Sequence, residues 1–127
     1  MEPFDLNSGR FYLRQLRHDD RVDDAPVLSN IYGREISDEY FAQAEQDWSD
    51  GTVFRWALSE QTNIELVAEV VVTRNADGTT DIAITPNGDL DRVLPGDDDT
   101  LVPVTVGDAV ETARGTVSRW VADEFAG

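Results

Sequence analysis

Two carboxylates, Glu69 and Asp81, lie in the most apolar part of the chain, among Val, Leu, Ile and Ala residues that read as β-strands. A carboxylate on a central strand is a residue type that can take a proton from an attacking amine, so both are candidate catalytic bases. The plainer alternative is a solvent-facing carboxylate opposite a buried row. His18 is the only histidine and stands beside Asp19. It is either a titrating switch or an ordinary surface histidine near a helix start. Asn87, Asp89 and Asp91 occupy alternate positions, with Asp98 eleven residues after Asn87, and oxygen clusters of this kind suit calcium. Arg92 fills the sixth position where such loops need glycine, and Asp98 is shorter than the usual Glu, which favours a plain acidic loop over a metal site. Trp48, Trp56 and Trp120 offer either a binding cage or core packing. A hydrolase triad has almost no support.

These residues depend on a meander for their placement. Phe54, Trp56 and Leu58 alternate with Arg55 and Ala57, so period-two geometry sends the large side chains to one face. Leu66 to Thr73 is mostly Val, Leu and Ala, as expected of a strand covered on both faces. Asp81 to Thr85 is a third, shorter strand, reached through a tight turn at Asn75-Ala76-Asp77-Gly78. Arg10 to Arg17 suits a further strand beside the meander, after a short lead-in over residues 1 to 9. The expected fold class is α+β with a mostly antiparallel sheet, in one domain spanning 1–127.

Three helices complete the pattern. Ala25 to Tyr32 places Val27, Leu28 and Ile31 on one face before Gly33. Ser37 is the N-cap of a second helix, where Asp38 and Glu39 favour the positive end of the dipole, Tyr40, Phe41, Ala44 and Trp48 recur at helical spacing, and Gly51 ends it. Pro86 to Thr100, rich in aspartate, proline and glycine, reads as a long solvated loop, and Leu101 to Val106 as an edge strand tolerating Pro103. In the last helix Asp108 and Glu111 have the spacing of a capping box. Val110, Ala113, Val117, Trp120, Val121 and Phe125 form its apolar stripe, which Gly115 weakens.

Composition narrows the function classes. All ten basic residues are arginines, and against 26 acidic ones they give a net charge of -16. Such a surface repels phosphates, which argues against direct nucleic acid binding and favours a basic protein partner, bound cations or mimicry of a nucleic acid. A GC-rich or salt-adapted source would produce the same composition with the acids serving only solubility. No cysteine is present, so disulfides and thiolate metal sites are excluded. No apolar run approaches the roughly 20 residues of a membrane span, and no signal peptide is evident, so the expectation is a cytoplasmic protein without membrane contact.

The stretches "FYLRQL" followed by Asp19-Asp20, "YFAQAEQDWSDGTVFRWALSEQTNIELVAEVVV" and "AVETARGTVSRWVADEFAG" resemble, in that order, the GNAT superfamily of acyl-CoA-dependent N-acyltransferases, in particular the type that acetylates ribosomal-protein N-termini. The resemblance implies acetyl-CoA as cofactor. It would lie against a strand like Ile82, Ala83 and Ile84 that splays open, with its pyrophosphate on backbone N–H groups at Gly107 and Asp108 before the last helix. The family's loop there follows Gln/Arg-x-x-Gly-x-Gly/Ala. This chain has "GDDDTLVPVTVGDAVETA", retaining only Gly107, while Asp108 puts a carboxylate where phosphate would sit. The family also continues with another strand, a helix and two final strands, and none follows Gly127. The expectation is therefore a degenerate, non-catalytic GNAT-like protein that binds a protein partner or a second copy through an open sheet edge or its acidic surface. The alternatives are an N-acyltransferase with an unorthodox or subunit-completed coenzyme site, and an acidic nucleic acid mimic.

Overall fold

The computed structural model describes residues 1–94 and 102–125. Leu6–Ser8 (β1) and Phe11–Gln15 (β2) form a hairpin, and Ala25–Tyr32 (α1) and Asp38–Asp50 (α2) follow. Val53–Glu60 (β3), Asn63–Arg74 (β4) and Thr80–Pro86 (β5) make the meander, and Val106–Phe125 (α3) closes the sequence of elements. All five strands are antiparallel neighbours in the order β1-β2-β3-β4-β5, so the fold is α+β. The expected three-strand meander is the larger part of this sheet, and residues 1 to 9 are more than a lead-in. Leu6 pairs with Leu13 and Ser8 with Phe11, a reversal made possible by the positive φ (65°) of Gly9.

The alternation in β3 divides the core between the two faces of the sheet. Phe54, Trp56 and Leu58, with Leu13 on β2 and Ala68, Val70 and Val72 on β4, are buried in the cluster that takes Ala109, Val110, Ala113 and Val117 of α3. Ala57 belongs to the opposite face, in a second cluster with Leu28 of α1, Ile36 and Leu66, against which Tyr40 and Phe41 of α2 also pack. β4 is buried without interruption from Leu66 to Val70, as expected of a strand covered on both faces. Burying each large apolar side chain contributes about 1.5–3 kcal/mol, so the α3 face holds most of the hydrophobic stabilisation.

Trp48 and Trp56 are core residues and Trp120 packs against them. β2 ends at Gln15, opposite Trp56, so the start of β3 has no strand on that side. Trp48 reaches round from α2 to fill the gap, edge-to-face with Phe54 at 4.8 Å and Trp56 at 5.2 Å, while Phe4 and Trp120 close the group.

Two ends of elements differ from expectation. α3 starts at Val106, and its reciprocal cap joins Thr105 and Asp108 instead of Asp108 and Glu111: Thr105 N donates to Asp108 Oδ2 (2.9 Å) and Asp108 N to Thr105 Oγ1 (3.1 Å). A threonine hydroxyl at the true N-cap competes successfully for the site that the aspartate pattern had suggested. Within the expected edge strand Leu101 to Val106, only Thr105 makes a β-bridge, to Val93, and Leu101 lies outside the described residues. Pro86 belongs to β5, while Asp97, Asp98 and Asp99 lie outside the described residues.

Candidate functional site

Glu69 sits mid-way along β4, with Ala57 beside it on β3 and Thr85 on β5, and points to the face covered by α1 and α2. Its side chain is 0% exposed, so the reading as a solvent-facing carboxylate is corrected. Period-two alternation sends it away from Val70, but that side of the sheet is covered too. Tyr32, in the last turn of α1, donates its hydroxyl to Oε1, and Tyr40, in the first turn of α2, donates to Oε2. Arg55 on β3 adds Nη1 to Oε1 at 3.2 Å and to the Tyr40 hydroxyl at 2.9 Å. Both carboxylate oxygens are thereby occupied, which meets the requirement that a buried charge be paired and hydrogen-bonded.

This environment holds the two phenols in their neutral form. Burial, reinforced by the hydrogen bond to Glu69, pushes Tyr32 up to about 12, and the same causes push Tyr40 higher still. Arg34 lies near both rings, its guanidinium carbon 6.0 Å from the Tyr32 centroid and 5.9 Å from that of Tyr40. The arrangement can clamp the α1–α2 corner to the sheet. In this geometry Glu69 is not placed to take a proton from an amine in solvent.

A cleft of about 160 Å³ opens beside the clamp. Arg55 lines it together with Gln15 and His18 at the end of the β1–β2 hairpin, and with Phe41, Glu45 and Trp48 on one face of α2. His18 is stacked on Phe41 (4.6 Å, 9° between planes) and held between two carboxylates, Nδ1 at 2.7 Å from Asp23 Oδ1 and Nε2 at 2.6 Å from Asp38 Oδ1. The hydrogen bonds to Asp23 and then to Asp38 raise its pKa above the ordinary 6.5. Asp19, its neighbour in sequence, is bound elsewhere: Arg17 and the backbone N–H groups of Val22 and Arg21 hold its carboxyl down at about 2.

The other candidates lie apart from this cleft. Asp81 is exposed and pairs with Thr73, four residues along β4 from Glu69, so the two carboxylates stand roughly 13 Å apart along the strand. It accepts a hydrogen bond from Asn75 Nδ2 at 3.0 Å. Asn87 accepts from Asn30 Nδ2 at 3.0 Å, and Arg92 donates to its carbonyl at 3.2 Å. With Asp89 and Asp91 exposed and Asp98 outside the described residues, no group of three or more His, Asp or Glu side chains among the described residues could hold a metal ion.

The start of α3, where the resemblance would seat a pyrophosphate, has its backbone donors engaged. Val106 N donates to Arg92 O (2.9 Å), Gly107 N to Leu90 O (2.8 Å), Asp108 N to Thr105 Oγ1 and Ala109 N to Thr105 O (3.1 Å). A Cβ on Gly107 would meet Leu90 O at 3.2 Å, so the glycine serves close packing of the preceding loop on the helix. Of the strand that the resemblance would open, Ile82 and Ile84 pack against the α3-side core and Ala83 is exposed.

Tyr32, Tyr40 and Arg55 are the residues that sequence reasoning passed over. Their signals were present: Arg55 shares the Ala57 row, and the tyrosines flank the turn between two helices. Nothing in the spacing says that α1 and α2 converge over one carboxylate. The fold and site together define an α+β protein with a five-stranded antiparallel meander, helices on both faces and a buried carboxylate clamp. No family model, curated protein or solved structure matches this chain.

Proposed function

We propose that the chain is a non-catalytic interaction protein on a GNAT-like fold, receiving an extended, basic segment of a protein partner along the outer edge of β5. The observation that carries this reading is the engaged start of α3: the four backbone donors from Val106 to Ala109 have partners within the chain, leaving none for a phosphate. The Asp108 carboxylate is spent on the same cap. β5 is an edge strand of the sheet, and among the described residues no strand lies on its outer side. An unpaired edge is a template for strand addition. Exposed aspartates bracket it, Asp77 and Asp81 towards one end and Asp89 and Asp91 beyond the other, so a segment carrying arginine or lysine is favoured over a second copy of a chain with net charge -16.

The test combines two measurements. Titration calorimetry with acetyl-CoA is expected to give no heat at millimolar coenzyme, and micromolar binding would overturn the non-catalytic reading. Ala83 is exposed on β5, and a lysine there both blunts the edge and repels a basic segment. A captured partner should therefore bind the Ala83→Lys variant much more weakly and bind the wild type less as salt rises. Unchanged capture by the variant would remove the edge from the proposal, and a wild-type dimer that Ala83→Lys dissolves, seen by light scattering, would transfer the edge to self-association.

A further inference from the structure

The cleft beside Arg55 has the composition of a binding site for a small zwitterion, and neither the clamp nor the β5 edge uses it. Arg55 Nη1 is committed to Glu69 and Tyr40, which fixes the guanidinium in place. The guanidinium lies over the Tyr40 ring, 5.1 Å from its centroid, and among the described residues its Nε and Nη2 have no hydrogen-bond partner, although the side chain is only 25% exposed. Nε and Nη2 form the side of the fork that grips a carboxylate through two parallel hydrogen bonds. The Glu45 carboxylate and the Gln15 side-chain amide line the same cleft, and they too lack a hydrogen-bond partner among the described residues. Phe41 and Trp48 supply apolar wall between these polar groups. Convergent polar groups set in an apolar concavity are the usual make-up of a small-molecule site.

We infer that this cleft binds a free α-amino acid with an apolar side chain: the carboxylate on Arg55 Nε and Nη2, the ammonium group on Glu45, and the side chain against Phe41 and Trp48. Charge decides between a zwitterion and a simple anion. Arg55 is already balanced by Glu69, and His18 faces two carboxylates, Asp23 and Asp38, so Glu45 adds to a negative charge that is already in excess, and the whole chain carries -16. A plain carboxylate would enter against that field, whereas a zwitterion matches both ends and carries no net charge. About 160 Å³ is also well below the space that a drug-sized ligand needs, which limits the occupant to amino-acid size.

The experiment is a 15N–1H NMR titration of the full chain with L-leucine and with its two half-molecules, 4-methylpentanoate and 3-methylbutylamine. L-leucine is expected to give saturable shifts at the Arg55 Nε–H and Trp48 Nε1–H resonances, with each half-molecule bound at least about tenfold more weakly. Glu45 is exposed, so Glu45→Gln should leave the fold intact while weakening L-leucine by about tenfold. Binding of 4-methylpentanoate as tight as that of L-leucine would overturn the zwitterion site in favour of an anion site. No saturable shift with L-leucine, or an unchanged affinity in Glu45→Gln, would remove the site altogether.

Discussion

Glu69, Tyr32, Tyr40 and Arg55 make a buried polar group whose members depend on one another. Removing the carboxylate leaves two phenols and a guanidinium without their acceptor, so Glu69→Ala is expected to destabilise the fold by about 3–5 kcal/mol in chemical denaturation. The phenols also set an alkaline limit. Their folded-state pKa values are raised above the ordinary 10, so the stability they contribute is complete below about pH 10 and is lost as pH rises through the folded-state values, about 12 for Tyr32 and higher for Tyr40. The tyrosinate absorbance band should therefore show a late step coinciding with unfolding, and the Tyr32→Phe and Tyr40→Phe variants should each lose part of it. His18 has the opposite surroundings, a cation site between two carboxylates. Its raised pKa means a contribution present below pH 6.5 and lost as pH rises through the folded-state value, while the lowered pKa of Asp23 removes it again as pH falls below Asp's ordinary 3.8. An NMR titration of the His18 ring should show the pKa fall toward 6.5 in Asp38→Asn. An unshifted titration in that variant would mean that Asp38 does not hold the ring in solution.

At the scale of elements, α3 combines a strong apolar stripe with one weak link. Gly115 lies in its interior, and a Cβ there would meet only the flexible end of Arg119 at 3.4 Å. Gly115→Ala is therefore expected to stabilise the chain by about 1 kcal/mol, read as a shift of the denaturation midpoint without a change in slope. No change, or a loss, would show that close packing needs the missing side chain. Elements were legible wherever local chemistry and period agreed: α1 and α2 end at Gly33 and Gly51, whose φ values of 65° and 71° permit the left-handed cap. The meander followed from the alternation of Phe54, Trp56 and Leu58. β1 was not legible, because three residues carry no period and their pairing with β2 depends on a reversal at Gly9. The Glu69 clamp was hidden for a related reason, since its members come from four elements and meet only once the helices dock. Asp24 shows the same limit. It stands at the N-cap of α1 yet makes no side-chain cap, because its carboxylate is held bidentately by buried Arg14 at 2.9 and 2.8 Å.

At the scale of the whole molecule, the net charge of -16 acts against compactness as well as against anionic ligands. Added sodium chloride should raise the melting temperature, because screening relieves repulsion among aspartates and glutamates more than it weakens the five ion pairs among the described residues, of which only Arg14–Asp24 is buried on both sides. A gain of about 1 kcal/mol would appear as roughly 4 °C in a thermal scan. A flat or falling melting temperature would mean that the charges are already balanced locally. The aromatic group has an optical consequence. Trp56 lies 5.2 Å from Trp48 and 5.3 Å from Trp120, each pair nearly perpendicular, and the three indoles come from β3, α2 and α3. Strong transition dipoles so close together couple, so the far-ultraviolet circular dichroism should contain an exciton contribution of the indoles belonging to none of the tryptophans alone. Loosening α3 would remove the Trp56–Trp120 part of that signal while leaving the Trp48–Trp56 part. The protein thus carries its own spectroscopic gauge of whether its last helix is seated.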